Sequence, residues 1–265
     1  MKKTYPVEFI YQLFSLIIIT LFVHALYVSI VRPNAEAILQ EQNALMQAGA
    51  EAVPKRSPYV LIRDYEQESC FVLMLWAIAI MSYKAAGVMR QRRLLENDLL
   101  PLAEEMRILP EDTREFSRQI QALPPRQQHY LLPRALLTGL QRFSSTRNIQ
   151  DVSTATRTIC ESEAERLDSE LSMIRYIAWA IPSIGFIGTV RGIGEALAQA
   201  HKAVEGDITG VTQSLGVAFN STFIALLLSI VLMFIVHQLQ LLQERLVLDT
   251  ENYCDQHLIS HLQVR

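Results

Sequence analysis

The stretch Thr222-Phe223-Ile224-Ala225-Leu226-Leu227-Leu228-Ser229-Ile230-Val231-Leu232-Met233-Phe234-Ile235-Val236 has only two polar side chains. It lies inside Ile208–Gln243, a run without a single formally charged residue. At about 1.5 Å per residue, such a helix crosses the roughly 30 Å hydrocarbon core of a bilayer. A chain with one span of this kind is read for others. Phe9–Val31 is also free of formal charge. Lys2 and Lys3 precede it, as in a signal peptide. The run is longer than the ~7–15 residues of a signal core and no small-residue cleavage site follows, so a retained anchor is expected. A further span is predicted from about Ser69 to Met89, with Lys84 in its last turns, where a lysine snorkels to the headgroups. Another is predicted over 175–197. Its charge-free part, Tyr176–Val190, is too short to be read as a span alone and is read as one because it pairs with the last, at 216–238.

Half of the 265 residues are apolar and 19% are charged, against about 25% charged in a soluble domain. The apolar residues are concentrated in the four spans, which excludes a simple soluble enzyme, a disordered chain and a collagen-like fibre. A net charge of −3 implies no broad nucleic-acid surface. Cys70, Cys160 and Cys254 are far apart and odd in number, so neither a zinc pattern nor a disulfide framework is expected. Phosphate-loop, zincin and nucleophile-elbow motifs are absent, and the chain is read as not an enzyme.

Basic residues set the orientation. With the N-terminus inside, eighteen Lys and Arg fall inside, fourteen of them from Lys84 to Arg175, and six outside: Arg32, Lys55, Arg56, Arg63, Arg191 and Lys202. The expectation is an all-α polytopic inner-membrane protein, with four transmembrane helices, a cytoplasmic helical domain and both termini in the cytoplasm. Its parts are an anchor at 1–32, a periplasmic loop at 33–68 and a second span at 69–89. A cytoplasmic domain at 90–174, paired spans at 175–238 and a cytoplasmic C-terminal helix at 239–265 follow. The outer loop is read as a helix from Ala35 to Ala52 ended by Pro54 and Pro58. Leu94, Leu95, Leu99, Leu100 and Leu102 recur at helical spacing, followed by Glu104, Glu105 and Arg107. Pro110, Pro124, Pro125 and Pro133 are read as breaks, and Asp151 as the N-cap of the helix entering the third span.

Two stripes of small, weakly polar residues stand out. On the third span Ala178, Pro182, Gly185, Thr189, Gly192 and Ala196 share one helix face. On the fourth, Ala218, Thr222, Ala225 and Ser229 do the same. Such faces let helices pack closely in lipid. They also place two hydroxyls at one depth. Thr189 lies roughly 21 Å along the outgoing helix from Arg175, and Thr222 roughly 12 Å down the returning one from Ser214. Hydroxyls there can replace part of an ion's water shell. Close packing and an ion path both remain open on these residues. The spans contain no Asp, and Glu8 and Glu195 lie only at their ends. His24 and His237 are each read as packed or interfacial rather than relays. A conducted proton therefore needs a carboxylate from another polypeptide.

The stretch Ile181-Pro182-Ser183-Ile184-Gly185-Phe186-Ile187-Gly188-Thr189-Val190-Arg191-Gly192-Ile193 resembles the signature of the MotA/TolQ/ExbB proton-channel family. Gly216-Val217-Ala218-Phe219-Asn220-Ser221-Thr222, with the apolar run after it, is similar to that family's last helix. The resemblance implies a pore-forming subunit of an inner-membrane motor or energy-transducing complex, assembled as a pentamer. It implies a dimeric single-span partner of the MotB/TolR/ExbD type that supplies an aspartate. Thr189 and Thr222 would face that aspartate, with Ser221 and Ser229 on the same path. Pro182, Gly185, Gly188, Gly192, Ala218 and Ala225 would shape the packing. The translocated ion would be H+ or Na+, with no other cofactor. Departures are Arg191 at a position that is often apolar, Val217 where some relatives are acidic, and Ile230-Val231 where some carry proline. The first span is extra to the three-span branch. Arg191 and Glu195 are read as a pair at the outer interface, with an anchoring or gating role. A non-conducting scaffold of the same shape is the alternative. A solute transporter is disfavoured, since no inverted repeat or broken helix is visible.

Overall fold

The computed structural model describes residues 7–47, 57–96, 99–100 and 106–264. Lys2, Lys3, Lys55, Arg56, Leu102, Glu104, Glu105, Arg265 and the expected helix end at 48–54 lie outside these. The fold is all-α. Four helices are long and apolar enough to cross a membrane, over Glu8–Gln42, Tyr65–Leu95, Ile149–Ala198 and Thr209–His261. Among the described residues there is no strand, only one parallel bridge between Ile108 and Leu262. The helices are α1 Val7–Leu26, α2 Arg32–Gln47, α3 Pro58–Leu61, α4 Tyr65–Leu95, α5 Thr113–Gln121, α6 Leu131–Thr146, α7 Ile149–Glu170, α8 Ser172–Ala198, α9 Ala200–Val204 and α10 Thr209–His257. They form two compact units, Met1–Met81 with Met173–Val236, and Ser82–Ser172 with His237–Arg265.

In the first unit the initial helix does not end at Val31. A π-helical turn, Tyr27–Val31, carries α1 directly into α2. Pro33 has no N–H and its ring crowds the preceding turn; a widened turn just before it accommodates both. The Asn34 side-chain amide donates to the Ile30 carbonyl at 2.7 Å. Helix α1 lies along α4, where the Trp76 indole donates to the Gln12 carbonyl at 2.9 Å and the Tyr11 hydroxyl to the Ala79 carbonyl at 3.2 Å. Val23, Tyr27 and Val31 pack with Ile19, Ile62, Phe71 and Val72. Phe14, Phe22, Trp179, Phe186 and Ile230 stay exposed, an arrangement that water penalises and hydrocarbon does not.

The second unit is built on α6. Leu132, Ala135, Leu136, Leu140 and Phe143 form its apolar face and are buried with Ile120 of α5, Val152 of α7 and Tyr253, Cys254 and Leu258 of α10. Gly139 lets α6 come close: a Cβ there would lie 2.7 Å from Leu258 and 3.3 Å from Val152. Several local expectations change. Pro133 lies in the first turn of α6 and breaks nothing, since first-turn N–H groups have no intrahelical partner. The N-cap of α7 is Asn148, whose side chain accepts from the Gln150 N–H at 2.9 Å, and Asp151 lies inside the first turn. Arg147, at φ 53°, closes α6 and sets Asn148 in the extended geometry a cap needs. The leucine pattern stays helical only to Leu95, yet Leu100 is fully buried in the core from a bend.

Glu163 is 4% exposed and paired with Arg134 at 3.2 Å and Arg166 at 2.6 Å. Burial pushes its carboxyl up, but the two guanidiniums outweigh that and hold it below the usual carboxylate range. Its stabilising contribution is complete above the unfolded value of about 4.3 and disappears as pH falls through the lower folded value. Glu163→Gln is therefore expected to lower the melting temperature at neutral pH and flatten the loss of stability below about pH 4. Phe143→Ala is expected to cost about 3–5 kcal/mol in denaturant unfolding.

Candidate functional site: the α8–α10 crossing

The two small-residue stripes meet face to face. The helices run antiparallel, with Gly192 against Ser214 and Ala218, Gly188 against Ser221, and Gly185 against Thr222 and Ala225. A Cβ at Gly192 would lie 2.7 Å from the Ser214 carbonyl oxygen and 2.8 Å from the Ala218 nitrogen. Those are backbone atoms of another helix and have no rotamer by which to yield. Glycine is thus required there by the closeness of approach.

Pro182 opens a hole in the α8 hydrogen-bond ladder. Without an N–H it leaves the Ala178 carbonyl without its usual donor four residues on. The Ser229 hydroxyl of α10 donates to that carbonyl at 3.1 Å. Helix α10 therefore completes the ladder of α8, as hydrocarbon surroundings demand.

Thr189 and Thr222 are brought together at the middle of this crossing, their hydroxyls in direct hydrogen-bond contact. Thr189 Oγ1 also reaches the Ala218 carbonyl at 3.0 Å and the Gly185 carbonyl at 3.3 Å, and Thr222 Oγ1 the Gly185 carbonyl at 3.1 Å. Each hydroxyl carries a single proton, so only part of this set is donated at once. Thr222 donating to Thr189, which donates to Ala218, is one arrangement; both donating directly to carbonyls is another. The pair holds a short, reorientable proton chain between two helices.

Ser221 Oγ donates to the Val217 carbonyl at 2.9 Å and accepts from the Gln67 amide of α4 at 3.4 Å. Arg191 pairs with Glu195 at 3.2 Å, the partner its spacing implies. Its stronger partner is Glu66, gripped through Nε at 2.8 Å and Nη2 at 2.9 Å. Sequence reasoning left Glu66, Gln67 and Glu68 in a loop. Helix α4 starts at Tyr65, so all three fall in its first turn. Glu68 is 8% exposed, with His24 Nδ1 at 2.7 Å and Arg32 on its other oxygen. Arg32 lies 4.2 Å over the Tyr65 ring. His24 is thus tied to a carboxylate in the first turn of α4. The available signal was polar side chains leading directly into an apolar run, the usual opening of a helix. Asp64, just before the helix, is raised by burial, against the lowering effect of Arg63 and Arg191. The three cysteines are buried and free.

Four helices able to cross a membrane, two of them joined by a hydroxyl-bearing, glycine-packed crossing, define a helical membrane protein. Residues 127–252, from before α6 through most of α10, match the model of the MotA/TolQ/ExbB proton channel family. No curated protein and no solved structure matches the chain. The matched segment contains the signature at Ile181–Ile193, and four helices of the chain are long and apolar enough to cross a membrane.

If Ser229 serves to cap Ala178, Ser229→Ala should cost about 1–3 kcal/mol in thermal unfolding in detergent. In Pro182→Ala, where residue 182 regains its N–H, the same change should cost markedly less. Additive losses in the double-mutant cycle would contradict the repair.

Proposed function

We propose that this chain is the ion-conducting subunit of an inner-membrane motor or energy-transducing complex. It works as a homo-oligomer, a pentamer in this reading, around a dimeric single-span partner that brings an aspartate. Both termini and the helical domain at 90–174 face the cytoplasm; the excess of basic residues on that side supports this. The single observation that carries the reading is the Thr189–Thr222 hydroxyl pair within the family-matched segment. Neither Tyr176–Val190 nor Ile208–Gln243 contains a titratable carboxylate. A proton passing there needs an acid that the chain does not supply at that depth, and a partner aspartate opposite the threonines provides it. The hydroxyls then exchange their carbonyl hydrogen bonds for the incoming acid or a hydrated cation, proton or sodium. Ser221 and Ser229 extend the polar face to either side. Force arises when ion binding and release move the partner relative to the ring.

A non-conducting scaffold is the second reading. It is favoured by the same crossing, since both threonine hydroxyls already have carbonyl partners within the chain. The readings separate in proteoliposomes holding the complex with its genomic partner. Thr189→Val and Thr222→Val should each lower proton flux by at least about tenfold while assembly mass is unchanged. Flux equal to the parent in both variants would leave the scaffold. The chain without partner should hold an imposed pH gradient.

A further inference from the structure

Four buried side-chain polar atoms lack a hydrogen-bond partner among the described residues. Three of them, Tyr27 Oη, Asp64 Oδ2 and Gln67 Oε1, belong to the first unit, at the start of α4 and the π-helical turn. Arg32 joins these elements: it pairs with Glu68 and lies 5.9 Å from the Tyr27 ring centre and 4.2 Å from that of Tyr65. Buried polar atoms left in this way are the usual sites of internal water.

Gln67 is the most constrained of the three. It is 0% exposed. Its Nε2 donates to the Leu61 carbonyl at 3.3 Å and to Ser221 Oγ at 3.4 Å. A carbonyl only accepts, so Leu61 fixes which way the amide is turned. The Oε1 oxygen is left as an acceptor with no donor. Ser221, its neighbour, is 1% exposed and directly precedes Thr222. Gly188 marks where these groups converge: a Cβ there would lie 2.6 Å from Ser221 Oγ and 3.2 Å from Glu66 Cγ. Glu66 is itself 12% exposed and held by the more exposed Arg191. Polar groups thus run from the Arg191–Glu66 pair, past Gln67, to Ser221 and the threonine pair.

We propose that Gln67, Ser221 and Glu66 bound a buried water site that admits a hydrated monovalent cation, proton or sodium, to the Thr189–Thr222 pair, with the Arg191–Glu66 pair as its cap. This deepens the conducting reading above and rests on it for the ion's onward route. The site draws on α4, which lies outside the family-matched segment 127–252. Gln67 Oε1 takes a hydrogen bond from the water, Ser221 Oγ passes it on by rotating away from the Val217 carbonyl, and Glu66 supplies negative charge beside it. No covalent step is involved.

Two measurements test it. In the first, the full chain in lipid bilayers is studied by magic-angle-spinning NMR with magnetisation transferred from water. The Gln67 side-chain amide should receive it nearly as fast as the amide of Gln213, near the start of α10, and well before the Ala225 methyl packed between the helices. Transfer as slow as to Ala225 would overturn the water site. In the second, the complex with its genomic partner is reconstituted under a pH gradient and, separately, a sodium gradient. Gln67→Leu and Ser221→Ala should each lower the flux of the conducted ion by about tenfold or more, with assembly mass unchanged. Glu66→Gln, which keeps hydrogen bonds to Arg191 but removes the charge, should lower it less. Parent-like flux in Gln67→Leu and Ser221→Ala, with Thr222→Val still blocked, would overturn the intake role and leave the channel reading intact. A parent complex that carries no ion would remove the intake role together with the channel reading. The water site would then stand or fall on the spectra.

Discussion

In hydrocarbon, a backbone carbonyl that loses its helical donor finds no water to replace it. Pro182 creates that situation at Ala178, and Ser229 on α10 resolves it. The repair works only if the helices are close, and Gly185 and Gly192 permit the closeness. Once Ser229 meets Ala178 and Gly192 meets Ala218, the antiparallel register is set. That register places Thr189 on Thr222. The hydroxyl pair is thus a consequence of how the two helices satisfy each other, and any change in the crossing alters it.

The crossing is polar without being charged. Its carbonyls and hydroxyls bind one another, and the neighbouring carboxylates are kept to one end, where Glu66, Glu68 and Glu195 meet Arg191, Arg32 and His24. Hydroxyl–carbonyl contacts are individually modest and rearrange by rotation alone. A fixed ion pair at the same depth would bind its own counter-charge and hold it.

The second unit follows the rules of a water-soluble helical core. Its apolar face on α6 is closed by α5, α7 and the end of α10. Its buried carboxylate, Glu163, is tolerated because two arginines flank it. Helix α10 contributes to both units: small and apolar residues with a few uncharged polar ones over 216–236, then Tyr253, Cys254 and Leu258 in the core of the second.

The four long helices, the stripes on α8 and α10 and the family signature were all legible in the sequence. They depend on local periodicity and on the cost of placing charge in hydrocarbon, which any window of about twenty residues displays. Helix ends were legible less well. Asn148 displaced Asp151 as a cap because Arg147 took the left-handed turn before it. Helix α1 ran on past Val31 because a π turn absorbed Pro33. Both outcomes depend on backbone angles rather than residue type. The role of Ser229 toward Ala178, the grip of Arg191 on Glu66 across 125 positions, and the burial of Gln67 against Ser221 belong to tertiary structure alone. Hydropathy records how much a residue costs to bury. Which partner offsets that cost depends on another helix being near, and nothing local in a chain encodes that.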